Sequence, residues 1–133
     1  MMNEPLSSIM ATDLRTLDVN ANLTAVLDIM KTHKVHHLPV VDGKKLVGII
    51  SSWDLLKLNK SFEEYHTINV RDIMTTKMAY LDPNDHIGAA AEVLLENLFH
   101  AIPVVNDDHD LLGMVTAYDI LKYENKKEYP DEV

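Results

Sequence analysis

The chain has 133 residues, 47% of them hydrophobic and 25% charged, and a formal net charge of −9 from 12 basic and 21 acidic residues. That size and apolar content suit a compact protein with its own core, whereas nucleic-acid or anionic-membrane binding needs clustered Lys and Arg and is disfavoured. Cysteine is absent, which excludes disulfides, thiolate metal sites and cysteine nucleophiles; with no run near the roughly 18 apolar residues of a bilayer span and no apolar leader, a cytoplasmic protein without membrane insertion is expected.

In chain order, a short opening segment, Leu6 to Met10, leads into an extended piece that ends at Leu17. Asn22 is a suitable N-cap for a helix, because its side-chain oxygen can accept from the first free N–H groups. Leu23, Val26, Leu27 and Met30 follow at i, i+3, i+4 and i+7, one apolar stripe, and Met30 is simply part of it. Two near-continuous apolar runs, Leu38 to Val41 and Leu46 to Ile50, read as strands joined by a turn through Asp42-Gly43-Lys44-Lys45. A second helix runs from about Ser52 to Leu58, and residues 59–69 read as a linker.

The same order then recurs. Shifting the chain by 64 residues lays Ile9-Met10 on Ile73-Met74, Leu17-Asp18 on Leu81-Asp82, His36 on His100 and Pro39-Val40-Val41 on Pro103-Val104-Val105. After one extra residue in the turn Asn106 to Asp110, a shift of 65 lays Leu46 on Leu111, Gly48 on Gly113, Asp54 on Asp119 and Leu56-Lys57 on Leu121-Lys122. The second copy thus has an opening segment Val70 to Met74 and an Ile87, Ala90, Ala91, Leu94 stripe. Strands Ile102 to Val105 and Leu111 to Val115 follow, then a helix from about Ala117 to Glu124. The expected organisation is a first repeat over 1–58, a linker over 59–69, a second repeat over 70–124, and a charged tail over 125–133 that frays. The fold class is α/β of the α+β type, each repeat strand-helix-strand-strand-helix.

Two motifs carry chemistry. Ser51-x-x-Asp54 and Thr116-x-x-Asp119 each lie where a strand turns into a helix. Free N–H groups and a partial positive charge at a helix start attract phosphate. A hydroxyl there can donate to a phosphate oxygen, and a carboxylate three residues on can accept from both ribose hydroxyls. The same spacing is also a capping box, which by itself stabilises the helix start by roughly 1 kcal/mol. Gly48 and Gly113 stand three residues before the motif in both copies, where a missing side chain permits close approach of backbone or ligand. There is no Walker or Rossmann glycine loop and no nucleophile elbow or triad order. His33, His36 and His37 do not read as a zinc cluster, because His37 is expected in or near a strand rather than on the helix of His33.

The quoted repeats resemble the CBS domain, named for cystathionine beta-synthase, over roughly residues 6–124. The marks are Ile9-Met10 and Asp72-Ile73-Met74-Thr75, His36-His37-Leu38-Pro39-Val40-Val41 and His100-Ala101-Ile102-Pro103-Val104-Val105, and the two Gly-x-x-Ser/Thr-x-x-Asp runs. The resemblance implies a tandem pair, or Bateman module, standing alone, its repeats packed through their sheets with pseudo-twofold symmetry. It implies two clefts that take AMP, ADP, ATP or S-adenosylmethionine. Ser51, Asp54, Thr116 and Asp119 would hold phosphate and ribose. In similar proteins of the AMP-activated kinase gamma type, His or Arg near the positions of His36, His37 and His100 contacts phosphate; beside a strand, these histidines also read as half-buried structural residues. Ser51 and Asp54 would share a cleft with His100, and Thr116 and Asp119 one with His36 and His37. Leu14-Arg15 and Met78-Ala79 would line the purine pockets, Arg15 departing from the usual small aliphatic residue. Trp53 and Tyr118 would flank the clefts or serve in packing.

The expected function is regulatory and not enzymatic. An adenosine nucleotide or derivative would be the ligand, with no resident cofactor or metal. A homodimer and a protein partner, an enzyme or transporter, are implied. The alternative is a ligand-free dimerisation or protein-interaction module. Few Arg or Lys lie near the phosphate positions, which favours that alternative and, among ligands, AMP or S-adenosylmethionine over ATP.

Overall fold

A computed structural model of the chain describes residues 2–97 and 101–130. The described chain forms two compact units, one over Arg15–Met78 and one over the described parts of Met1–Leu14 and Ala79–Val133.

In the unit Arg15–Met78, β1 (Leu17–Asp18), α1 (Leu23–His33), β2 (His37–Asp42), β3 (Lys45–Ser51) and α2 (Ser52–Leu58) follow in order. β1 pairs with β2 in parallel, Leu17 opposite Val40, and β2 pairs with β3 antiparallel through a bulge at Val40/Val41. The expected cap is present: the Asn22 side chain accepts from the Ala25 N–H at 3.1 Å. Lys34 in the left-handed region ends α1, and Asn59 in the same conformation ends α2. Leu17, Leu23, Val26, Met30, Leu38, Val40, Ile50 and Leu55 form the core, the predicted stripe and strand residues among them.

The second unit repeats this with α3 (Ile87–Asn97), β4 (Ala101–Val105), β5 (Leu111–Thr116) and α4 (Ala117–Glu128). Its first strand shrinks to one bridge, Leu81 beside Val104 in parallel. The β4–β5 register carries the equivalent bulge, at Val104/Val105. Leu6, Ile87, Ala90, Leu94, Ile102, Val104, Val115 and Ile120 form its core. Strands and helices thus make a mixed α+β fold with the predicted element order.

The compact units cut across the sequence repeats. Leu6, from the opening segment of the first copy, is fully buried in the core of the second. Val70, its equivalent in the second copy, is fully buried in the core of the first. Backbone bonds fasten both exchanges: Leu6 N–H to Asp85 and Ile87 N–H to the Glu4 carbonyl in one unit, Leu23 N–H to Ile68 and Val70 N–H to Ala21 in the other. The compact units thus differ from the repeats 1–58 and 70–124, because each core takes its apolar lid from the other copy's opening segment. The linker 59–69 has local structure of its own. Phe62–Thr67 is a 3-10 helix whose Tyr65 is buried in the first core. The tail is not frayed through Glu128, since α4 continues where α2 stops. Nothing equivalent to Asn59 breaks it, and Lys127 reaches Glu4 at 3.4 Å.

Candidate functional site

Both Ser/Thr-x-x-Asp motifs sit at a strand-to-helix junction and are built as complete capping boxes. Ser51 Oγ accepts from the Asp54 N–H at 3.3 Å, and Asp54 Oδ2 accepts from the Ser51 N–H at 2.8 Å and from Ser51 Oγ at 3.1 Å. In the second copy Thr116 Oγ1 accepts from the Asp119 N–H at 3.2 Å. Asp119 Oδ2 accepts from the Thr116 N–H and from Oγ1, each at 2.9 Å. Each hydroxyl and one carboxylate oxygen are therefore occupied locally, which satisfies donors that a helix start leaves open. Only Oδ1 of each aspartate is left over.

The leftover oxygens differ between the copies. Asp54 is buried, and its Oδ1 lies 3.6 Å from the Lys57 ammonium, one helical turn on. Lys122 is the equivalent of Lys57, but its ammonium lies over the Tyr118 ring, 5.2 Å from the centroid. Asp119 Oδ1 has no hydrogen bond or ion pair among the described residues, and Asp119 lines a cavity.

That cavity, about 420 Å³, lies within the second unit between the N-terminal segment and one face of α4. Glu4, Ser8 and Ile9 form one wall, and Asp119, Lys122, Tyr123, Lys126 and Lys127 the other. The volume is in the range of small-molecule sites. Its far end is held by a three-residue cluster. The Glu4 carboxyl is held below its usual range, first because it accepts from the Tyr123 hydroxyl and then because Lys127 bonds to it and lends its charge; partial burial opposes this. The bond to Glu4 pushes the Tyr123 phenol up, against the opposing Lys127, and the bond to Tyr123 pushes the Lys127 ammonium up. Sequence reading did not single out this wall. The signal was available as residues 3, 4, 7 and 8 positions beyond Asp119, all on one helical face. The charged composition from residue 125 on hides it, because a polar helix end and a fraying tail have the same composition.

The remaining candidate residues fall as follows. His37 lies opposite Ser51 in the β2–β3 register, and the His36 carbonyl accepts from the Ser52 N–H at 2.9 Å, so both histidines adjoin the first copy's own motif. Ala101 stands opposite Thr116 in the same place in the second unit, and His100 lies outside the described residues. Leu14 is half-buried and Arg15 exposed; Met78 and Ala79 are half-buried. One compact unit gives way to the other between Leu14 and Arg15 and again between Met78 and Ala79. Trp53 and Tyr118 are 61% and 65% exposed, so neither serves in core packing. The space at the glycines is used by protein. A Cβ on Gly48 would press on Met74, and one on Gly113 would meet Met10 and the Ala11 carbonyl. Among the described residues no group of three or more His, Asp or Glu is placed to hold a metal ion, and no helix is long and apolar enough to cross a membrane.

Comparison with known proteins places this geometry. The family model for the CBS domain matches twice, over residues 6–61 and 70–126. Among curated proteins the chain is 34% identical over 113 residues to a homoserine O-acetyltransferase of Methanobrevibacter ruminantium, covering 84% of this chain and 22% of that one. The chain spans 22 to 23% of the length of the first such relatives. Among solved structures it is similar to CBSX2 of Arabidopsis thaliana in complex with AMP, with 26% identity, a TM-score of 0.84 and coverage of 94% and 98% of the two chains. It is also similar to the CBS domain pair of protein MJ0100 in complex with 5′-methylthioadenosine and S-adenosyl-L-methionine, with 27% identity, a TM-score of 0.79 and coverage of 92% and 97%. With the family matched in tandem across most of its length, and the same strand-to-helix capping box built in each copy, this chain belongs to the CBS domain family.

Proposed function

We propose that this CBS pair is a regulatory module, without catalytic activity of its own, that binds an adenosine-containing ligand and passes its occupancy to a protein partner. The observation that carries the reading is that Asp119, a residue lining a ligand-sized cavity, keeps one carboxylate oxygen without a partner among the described residues, while the twin oxygen of Asp54 is answered by Lys57. An unpaired carboxylate oxygen is an acceptor for vicinal hydroxyls such as those of a ribose. The ligands named for CBSX2 and MJ0100 share the adenosine moiety, which supports the choice of ligand class. Thr116 at the helix start, His36 and His37, and the pairs Leu14-Arg15 and Met78-Ala79 are the further residues we assign to ligand contact. Ser51, Asp54 and His100 are assigned the same role in the first motif set. Binding regulates only insofar as the ligand prefers one conformational or oligomeric state.

Thermal unfolding with adenosine, AMP and S-adenosylmethionine tests this. A ligand present at 100 times its dissociation constant stabilises the folded chain by about 2.7 kcal/mol. Asp119→Ala should abolish that increment. If Asp119 acts only as a cap, the variant lowers stability equally with and without ligand, and the assignment fails.

A second reading, self-association, is favoured by one observation. Trp53 and Leu56 on α2, and their equivalents Tyr118 and Leu121 on α4, are 61%, 71%, 65% and 68% exposed. Large apolar groups repeated on one helix face of each copy suit a homodimer interface. Sedimentation equilibrium should then give a dimer for the wild-type chain and a monomer for Leu56→Glu/Leu121→Glu; a monomeric wild type would remove this reading.

A further inference from the structure

The cavity along α4 has a charge pattern of its own. Glu4 and Lys127 answer each other at 3.4 Å. Lys122 has the Tyr118 ring beneath it, and Lys126 forms no ion pair among the described residues. Beside these two cations the remaining charged lining residue is Asp119, whose Oδ1 has no partner among the described residues. The cavity is therefore locally cationic on a chain whose net charge is −9. The arrangement is also ordered along the helix. Lys122 and Lys126 lie three and seven residues beyond Asp119, about 4.5 Å and 10.5 Å along the axis at 1.5 Å per residue. A hydroxyl acceptor stands at one end and two ammonium groups, four residues apart on the same face, follow it. Ile9 and Tyr123 also line the cavity, as does Ser8, whose hydroxyl donates to the Pro5 carbonyl at 2.7 Å.

This is a complementary wall for a polyol that carries an anionic tail. Ammonium groups bind phosphoryl oxygens as compact point charges through charge-assisted hydrogen bonds. A carboxylate in the same place as the phosphoryl group would be repelled by Asp119 less than a dianion would, but it would gain less from two lysines. Resting on the adenosine reading above, we propose that Lys122 and Lys126 hold the phosphoryl group of a ligand anchored through its ribose on Asp119, so that the second copy selects a phosphomonoester of adenosine over adenosine itself. The lysines are specificity-determining residues of α4. The first copy lacks their counterpart: Lys57 is spent on Asp54, and the helix ends at Leu58, so no residue stands one turn further on.

Isothermal titration of the full chain with adenosine and with AMP tests the proposal. Wild type should bind AMP at least tenfold more tightly than adenosine, and the ratio should fall as salt is raised, because exposed charges are screened. In Lys122→Ala/Lys126→Ala the ratio should collapse toward one, and in Lys122→Glu/Lys126→Glu it should invert. Lys31→Ala, on α1 of the other unit, should keep the wild-type ratio, and melting temperatures verify that each variant is folded. If adenosine binds but AMP binds no more tightly, or if the double alanine variant keeps the preference, the phosphoryl site is wrong while the adenosine reading stands. If neither ligand binds, both are wrong.

Discussion

Adding one methyl group at Gly113 and at Gly48 should have unequal effects, although the two glycines are equivalent in sequence. At Gly113 a Cβ would stand 2.8 Å from the Ala11 carbonyl oxygen and 2.7 Å and 2.9 Å from Sδ and Cγ of Met10. The Ala11 oxygen cannot retreat freely, because it accepts from the Met114 N–H at 3.0 Å while the Ala11 N–H donates to the Met114 carbonyl at 2.8 Å. At Gly48 the three nearest atoms all belong to the Met74 side chain, its Cγ at 2.8 Å and Cε at 3.2 Å among them. A methionine chain has three rotatable bonds and can swing aside. Overpacking costs about 1–3 kcal/mol, and loosening the Ala11–Met114 pair adds about 1 kcal/mol per hydrogen bond. Gly113→Ala should therefore cost about 3 kcal/mol and Gly48→Ala about 1 kcal/mol, read by urea unfolding followed by circular dichroism. Double-mutant cycles sharpen the contrast. Met74→Ala should relieve the Gly48→Ala clash, so that the two changes are strongly non-additive. Met10→Ala should leave most of the Gly113→Ala cost in place, because the carbonyl remains. Equal costs for the two glycine variants, or full relief of Gly113→Ala by Met10→Ala, would refute the reasoning.

Leu6→Ala should cost about 2–5 kcal/mol, as for other fully buried leucines, and hydrogen exchange should place the loss in α3 and β5 while protection within Arg15–Met78 is retained; loss of protection in Leu23–His33 instead would contradict the exchange of opening segments. Glu4→Gln should lower stability at neutral pH, and its difference from wild type should shrink as pH falls below about 4.3, the ordinary glutamate value. The sign follows from the depressed carboxyl of Glu4, whose contribution is present above the unfolded value and lost as pH falls through the folded one. On the alkaline side the raised Lys127 keeps its contribution below about 10.4 and loses it only above; a wild-type-minus-variant difference flat from pH 3 to 7 would count against the cluster. Thr116→Ala should cost about 1–2 kcal/mol through loss of the cap, and a cost near zero in thermal unfolding would show that the α4 start is satisfied by other means.

Much of the fold was legible because local rules and the repeat agreed. The Asn22 cap, the Leu23 to Met30 stripe and the paired strands around Gly48 and Gly113 follow from spacing and side-chain chemistry alone, and each was seen twice at a fixed shift. The capping box was legible as well, as one of two readings of the same four residues. The histidines were less so: periodicity places His37 at the start of a strand with His36 before it, but does not show that His37 faces Ser51 in the register. The Lys122–Lys126 face went unread because a charged helix end and a fraying tail have the same composition, and only the contact of Tyr123 and Lys127 with Glu4 separates them.

The sequence alone determined the doubling, the order of elements and the residue types at each strand-to-helix junction, since these depend on neighbours within a few positions. Tertiary structure decided which opening segment closes which core, that Asp54 is answered by Lys57 while Asp119 is not, and that α4 forms one wall of a cavity. The first and last of these depend on contacts between residues far apart in the chain, such as Leu6 with Asp85, Val70 with Ala21 and Glu4 with Lys127. Periodicity within one helix or strand carries no information about them, because burial of Leu6 is equally favourable in any apolar core that the chain can reach.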